Sequence, residues 1–172
     1  NLLGNRDPEM LLCLHEEHAV AIAHGWAKVT GTPMGVLVHA NVGLMHATMA
    51  IYNAFCDRVP MLVMGGVAPM DAGRRISPAH WYHSVLDQGA LVRDYVKWDD
   101  QPISVKGTLE ALLRANQLTR TAPMAPCYLS IDQRMQEDPL PEMPVWPDVT
   151  RHAPPVPFRP DPGAVRRVAD LL

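Results

Sequence analysis

The densest chemistry in this 172-residue sequence is the run His15-Glu16-Glu17-His18. It invites comparison with a zinc-hydrolase signature, but two zinc-binding histidines on one helical face must stand four apart. Here they stand three apart and position 19 is Ala, so no metal ligand is assigned. Glu16 is more informative as a lone carboxylate, because Ala19, Val20, Ala21, Ile22 and Ala23 follow it. In so apolar a setting a carboxylic acid can hold a proton and share it with a ligand nitrogen. The alternative is helix capping, since acids interact well with the positive end of a helix dipole. His39 closes the apolar run Met34–His39 and can act as acid or base near neutrality, or simply order the loop after it. Gly43 allows a tight turn or a close backbone approach. Neither a Walker sequence nor G-x-G-x-x-G is present, so this loop is not a phosphate cradle. His46 lines the same crevice or stays partly exposed, and His80 and His83, flanking Trp81 and Tyr82, border a pocket or pack a subunit contact. Met34, Met45, Met49 and Met64 read as core filler.

These residues need a scaffold, and the pattern supplies one. Short apolar runs alternate with helical patterns. Strands are expected at Met10–Leu14, Met34–His39, Pro60–Met64, Val96–Trp98 and Cys127–Ile131. Helices are expected at Glu16–Lys28, Gly43–Phe55, part of Trp81–Tyr95, and Ser104–Arg120, with Ser104 as cap and Leu109, Leu112, Leu113 and Leu118 as an apolar stripe. The expected fold is α/β, a mostly parallel sheet with helices on both faces. Ligands bind such sheets at the C-terminal strand ends, which selects His15–His18, His39–Gly43 and Gly65–Pro69.

Nine of the 17 prolines lie between Pro139 and Pro162. Proline fixes φ and lacks an N–H, so this stretch is a linker. The expected organisation is a compact domain over residues 1–133, a Pro-rich linker over 134–160, and the start of a further domain over 161–172. We expect the chain to be a piece of a longer polypeptide.

Composition narrows the classes. Apolar residues make up 48% and the net charge is −3, enough for a core and without the cationic block of a nucleic-acid or anionic-membrane surface. No apolar run reaches the roughly 18 residues of a membrane span. Cys13, Cys56 and Cys127 are odd in number and far apart, which excludes a disulfide scaffold and fits a reducing cytoplasm.

Two stretches carry a resemblance: HEEHAVAIAHGWAKVTGTPMGVLVHANVG and, after it, NAFCDRVPMLVMGG. Together they resemble the pyrimidine-binding domain of thiamine-diphosphate-dependent enzymes, in the acetolactate synthase and benzoylformate decarboxylase branch. The likeness extends over most of residues 8–133 and implies that family's fold, and the tail from Pro157 resembles the start of the family's central domain, which residues 161–172 would begin. It places Glu16 on the cofactor-activating glutamate, His39 on the active-site histidine of the benzoylformate decarboxylase branch, and Gly43 on the turn glycine of the loop covering the cofactor. Leu44 and Met45 fall near the pyrimidine or substrate. Val67 stands where many members have glutamine, and His24 replaces a common acid. The family's first strand and helix would precede Asn1, and its diphosphate and Mg²⁺ ligands would belong to a C-terminal domain absent from this chain.

The resemblance also implies the chemistry. A carboxylic acid hydrogen-bonded to pyrimidine N1′ stabilises the imino tautomer that activates the cofactor, while the protein positions it and tunes its electronics. The expected function is that of a fragment, inactive alone, of a 2-oxo-acid decarboxylase. An acetolactate-synthase-like carboligase and a non-catalytic cofactor-binding or assembly module are the alternatives. The implied partners are a 2-oxo-acid substrate and a second subunit, as homodimer or homotetramer.

Overall fold

The computed structural model describes residues 9–172. Four strands, β1 (Gly35–Val38), β2 (Met61–Val67), β3 (Trp98–Asp100) and β4 (Pro126–Asp132), form one sheet in the order β1-β2-β4-β3. Every neighbouring pair is parallel, with Val36 beside Val63, Val63 beside Tyr128, and Asp99 beside Tyr128.

Alternation along the central strands explains why both faces are covered. Met61 and Val63 of β2 and Tyr128 of β4 point into one cluster, with Val20, Ala23 and Ala27 of α1 (Glu16–Thr30) and Leu44, Ala47 and Ile51 of α2 (Ala40–Cys56). Leu62 and Met64, with Cys127 and Leu129, point the other way, against Ala111 and Ala115 of α4 (Val105–Arg120). Strands apolar on both faces belong to a parallel sheet buried between helical layers. Small residues on α1 and α2 let these helices lie close to the sheet.

Local chemistry sets the helix ends. His15 Nδ1 accepts from the Glu17 N–H at 3.2 Å, and Gly31, at φ 70°, closes α1 in the left-handed conformation. Ser104 Oγ accepts from the Gly107 N–H at 3.1 Å, as its residue type predicts. Thr119, fully buried near the end of α4, accepts from the Met61 N–H at 2.8 Å and donates to the Ala125 carbonyl at 2.6 Å. One hydroxyl thereby joins a helix end to the starts of β2 and β4.

Several expectations need correction. Met10–Leu14 is not a sheet strand; the only bridge in this part of the described chain is at Glu9. Leu12 is 79% exposed and Leu14 fully exposed, so apolar character found no ladder partner here, and apolar runs are strands only when a neighbour pairs them. β3 lies two residues later than expected. α2 begins at Ala40, so Gly43 is helical and not a turn residue. The Trp81–Tyr95 region holds α3 (Pro78–Tyr82) and two 3₁₀ turns, Gly89–Leu91 and Arg93–Tyr95. Beyond β4 come a short α5 (Gln133–Glu137), an extended stretch with a 3₁₀ turn at Val149–His152, and α6 (Pro162–Ala169). Gln117 of α4 donates to the Ala153 carbonyl at 3.0 Å, fastening the proline-rich stretch at that point.

Candidate active site

Glu16 is the first residue of α1, where the chain leaves an extended conformation at His15. Its side chain is 25% exposed and lines a cleft of about 590 Å³ whose other walls include Leu11, Ala19, Ile22, Leu37 and Met64. Glu9 lies on the same lining, and a carboxylate among largely apolar walls is a hydrogen-bonding group available to whatever enters. Glu16 and Glu17 make an acidic first turn, which suits the helix dipole as the capping reading requires.

Gly43 explains how the carboxylate fits. A Cβ at this position would lie 2.7 Å from Glu16 Oε1 and 3.1 Å from both Glu16 Cγ and His39 Cβ. The close-approach reading of this glycine therefore describes the structure, although the turn reading does not.

His39 occupies the N-cap position of α2 without making a side-chain cap. It borders the cleft that holds Glu16. The next residue, Ala40, has φ 43°, a left-handed conformation that costs a non-glycine residue roughly 1–2 kcal/mol. Strain of this kind collects at sites where a neighbouring side chain must be aimed. The ring of His39 meets that of His83 edge to face, centroids 4.9 Å apart.

His46 approaches from α2, with Nδ1 3.6 Å from Glu16 Oε2, and its ring stacks on His15 at 4.9 Å. His15, Glu16 and His46 each offer a ligand atom within 4.8 Å of the others. His15 already spends Nδ1 on the helix cap, which puts its proton on Nε2 in the neutral ring. That commitment opposes metal ligation, and the cluster is better described as a carboxylate flanked by imidazoles. Leu44 is fully buried in the core cluster between the helices and the sheet. Met45 is 49% exposed on α2.

Beneath the strand ends lies a polar network that no sequence signal indicated. Gln88, fully buried, donates from Nε2 to the Gly66 carbonyl at 2.9 Å and to Tyr128 Oη at 2.7 Å. Burial pushes the Tyr128 phenol above its ordinary range. Gly65 must lack a side chain, since a Cβ there would lie 2.5 Å from Tyr128 Oη. Tyr128 could have been suspected as the one phenol in a strand whose first half is otherwise apolar; Gln88 sits in an irregular loop and carried no such signal. Of the two departures from the resembled pattern, Val67 is buried at the end of β2, and His24 pairs with Asp57 at 2.9 Å, joining α1 to the end of α2.

Among the described residues no helix is long and apolar enough to cross a membrane. The family model "Thiamine pyrophosphate enzyme, N-terminal TPP binding domain" matches residues 1–91. Benzoylformate decarboxylase of Pseudomonas aeruginosa is 31% identical over 128 residues, covering 73% of this chain and 23% of that protein. Acetolactate synthase of Bacillus subtilis is 25% identical over 132 residues, covering 76% and 22%. The crystal structure of benzoylformate decarboxylase from Polynucleobacter necessarius superposes with a TM-score of 0.75 at 24% identity, over 94% of this chain and 29% of that one. The chain thus spans about a quarter of the length of such relatives. By its matched residues and its fold, the chain belongs to the thiamine pyrophosphate enzymes and carries their N-terminal TPP-binding domain.

Proposed function

We propose that this chain is the pyrimidine-binding part of a 2-oxo-acid decarboxylase of the benzoylformate decarboxylase type, with Glu16 and His39 as its catalytic residues. The observation that carries the reading is the Glu16 carboxylate in an apolar cleft, with Gly43 clearing space beside it and His39 on the same wall. These features fit an aminopyrimidine: one acid to meet a ring nitrogen, apolar walls to meet its faces, and no Cβ in the way.

Thiamine diphosphate, when bound, supplies a carbon nucleophile and an electron sink for cleavage next to a 2-oxo group. Glu16 would hold the proton shared with pyrimidine N1′ and return it. Gly43 would let the backbone of α2 approach the ring. Ile22, Leu37 and Met64 would keep water from the carboxylate, and Met45 would stand at the exposed edge of α2. His39 would give or take a proton at the substrate side. The diphosphate and a Mg²⁺ ion would be held outside this chain, in a homodimer or homotetramer. A cytoplasmic setting is supported by three free cysteines.

A carboligase reading is supported by the likeness to acetolactate synthase. Thiamine diphosphate binding by the full-length protein, followed by CO₂ release and product analysis with several 2-oxo acids, decides between them. Aldehyde products support decarboxylation, and new carbon–carbon bonds support carboligation. Absence of cofactor binding refutes both.

A further inference from the structure

A second cleft, of about 520 Å³, opens at the C-terminal ends of β1, β2 and β4 and shares Leu37, His39 and Met64 with the cleft of Glu16. His39 therefore stands on the boundary between the two. The first is lined largely by aliphatic side chains around Glu9, His15, Glu16 and His39; the second presents three imidazoles, those of His39, His80 and His83, together with Gln133, Gln136 and Glu137.

Local structure aims these imidazoles. Ser77 caps the short α3, accepting from the Ala79 N–H at 3.2 Å, and His83 ends it by donating its own N–H to the Ala79 carbonyl at 3.0 Å. The ring of His83 is thereby set edge to face against His39, at an interplanar angle of 71°. His80 accepts from the Ile76 N–H at Nδ1, 3.3 Å. A neutral imidazole that accepts at Nδ1 carries its proton on Nε2 and is a donor there. Glu137, the one carboxylate in this lining, is engaged by Gln133 Nε2 at 2.7 Å and faces Arg134 at 3.8 Å. Gln136 Nε2 likewise donates to the Ile131 carbonyl at 2.8 Å, so the imidazoles are the principal donors of the cleft and its one acid is already partnered.

The geometry points to His83 as a specificity-determining residue. Beside His39 it forms a donor wall that selects 2-oxo acids whose side chain ends in a hydrogen-bond acceptor, a second carboxylate above all. The inference rests on the decarboxylase reading, in which the reacting carbonyl lies next to His39. An acceptor at the far end of the substrate meets His83 and His80. An alkyl end strips those groups of water and returns nothing, which is the strongest basis a site has for rejecting an analogue.

The test uses the full-length enzyme with thiamine diphosphate and Mg²⁺, and two substrates that differ at the chain end, 2-oxoglutarate and 2-oxohexanoate. The unaltered enzyme should favour 2-oxoglutarate in kcat/KM. His83→Leu should reduce that preference roughly 10–100-fold, the scale of a hydrogen bond to a charged group, chiefly through KM for the diacid. His83→Gln, which keeps a donor, should retain most of it. Circular dichroism checks that each variant is folded, and His83→Phe serves the same comparison if Leu is not tolerated. A preference that His83→Leu leaves unchanged, or an unaltered enzyme that favours 2-oxohexanoate, overturns the inference and leaves the decarboxylase reading standing. An enzyme that binds the cofactor and releases no CO₂ from any 2-oxo acid overturns that reading and this inference with it.

Discussion

Gly43 and Glu16 are in contact across the first turns of α2 and α1, and the carboxylate occupies the space that any side chain at position 43 would need. A glycine inside a helix costs about 1 kcal/mol relative to alanine. Gly43→Ala recovers that propensity but sets a Cβ 2.7 Å from Glu16 Oε1 and 3.1 Å from His39 Cβ, so it should displace the carboxylate. The two effects oppose one another, so the melting temperature of the full-length protein should change little, and under the proposed function cofactor activation should fall. A variant with unchanged activation would show that the close approach does not matter to the site.

Gly65 and Tyr128 make the same kind of pair within the core. Gly65→Ala sets a Cβ 2.5 Å from a buried, hydrogen-bonded phenol, and overpacking of this sort costs about 1–3 kcal/mol. Removing the hydroxyl relieves the clash, so Gly65→Ala with Tyr128→Phe should be more stable than the sum of the single changes predicts. Urea unfolding of the four proteins measures that coupling; strict additivity would show that the two groups do not meet.

Cys127 is buried in β4, and burial pushes its thiol up to about 12. The thiolate is the reactive form, so Cys127 should resist iodoacetamide at neutral pH until the protein unfolds. Peptide mass spectrometry after labelling reads this directly. Rapid modification of Cys127 in the folded protein would mean that β4 is not central.

Asp57 accepts from Lys28 Nζ at 2.7 Å and pairs with His24 Nε2 at 2.9 Å, and these partners hold its carboxyl below the usual range. A lowered carboxyl contributes stability that is fully present above the unfolded value, about 4, and is lost as pH falls through the folded value. Asp57→Asn should therefore lower the melting temperature at pH 7, with the gap from the unaltered protein closing only below about pH 4. A gap that is constant across that range would assign the loss to packing and not to charge.

Much of the architecture was readable because it depends on period and composition. The doubly apolar β2 and β4 predict a sheet covered on both faces, and Ser104 marks the start of α4. The failures share a cause. Met10–Leu14 has strand composition, but a strand also needs a neighbour, and composition does not report one. The start of α2 was misplaced because Ala40 takes a left-handed conformation that alanine does not advertise. At the candidate site, position after apolar runs anticipated that Glu16 and His39 line one cleft, and the missing side chain of Gly43 anticipated a close approach. The resemblance sets Leu44 near the pyrimidine or substrate, and its full burial in the core depends on which face of α2 it takes, which position in the sequence alone does not report. The Gln88–Tyr128 network depends on a loop folding over the sheet and is invisible until the chain is in three dimensions.

The account stands on the carboxylate of Glu16 exchanging a proton with a bound aminopyrimidine. Gln has nearly the shape of Glu and still hydrogen-bonds, but it cannot exchange that proton. In the full-length protein, Glu16→Gln should preserve the fold and weaken thiamine diphosphate binding only modestly. If the acid is merely a helix cap, the change should cost only about 0.3–1 kcal/mol of stability. The deciding measurement is hydrogen–deuterium exchange at C2 of the bound cofactor, followed by quenched-flow NMR. The account predicts that exchange slows strongly in Glu16→Gln; exchange at the unaltered rate, with the cofactor shown to be bound, would contradict it.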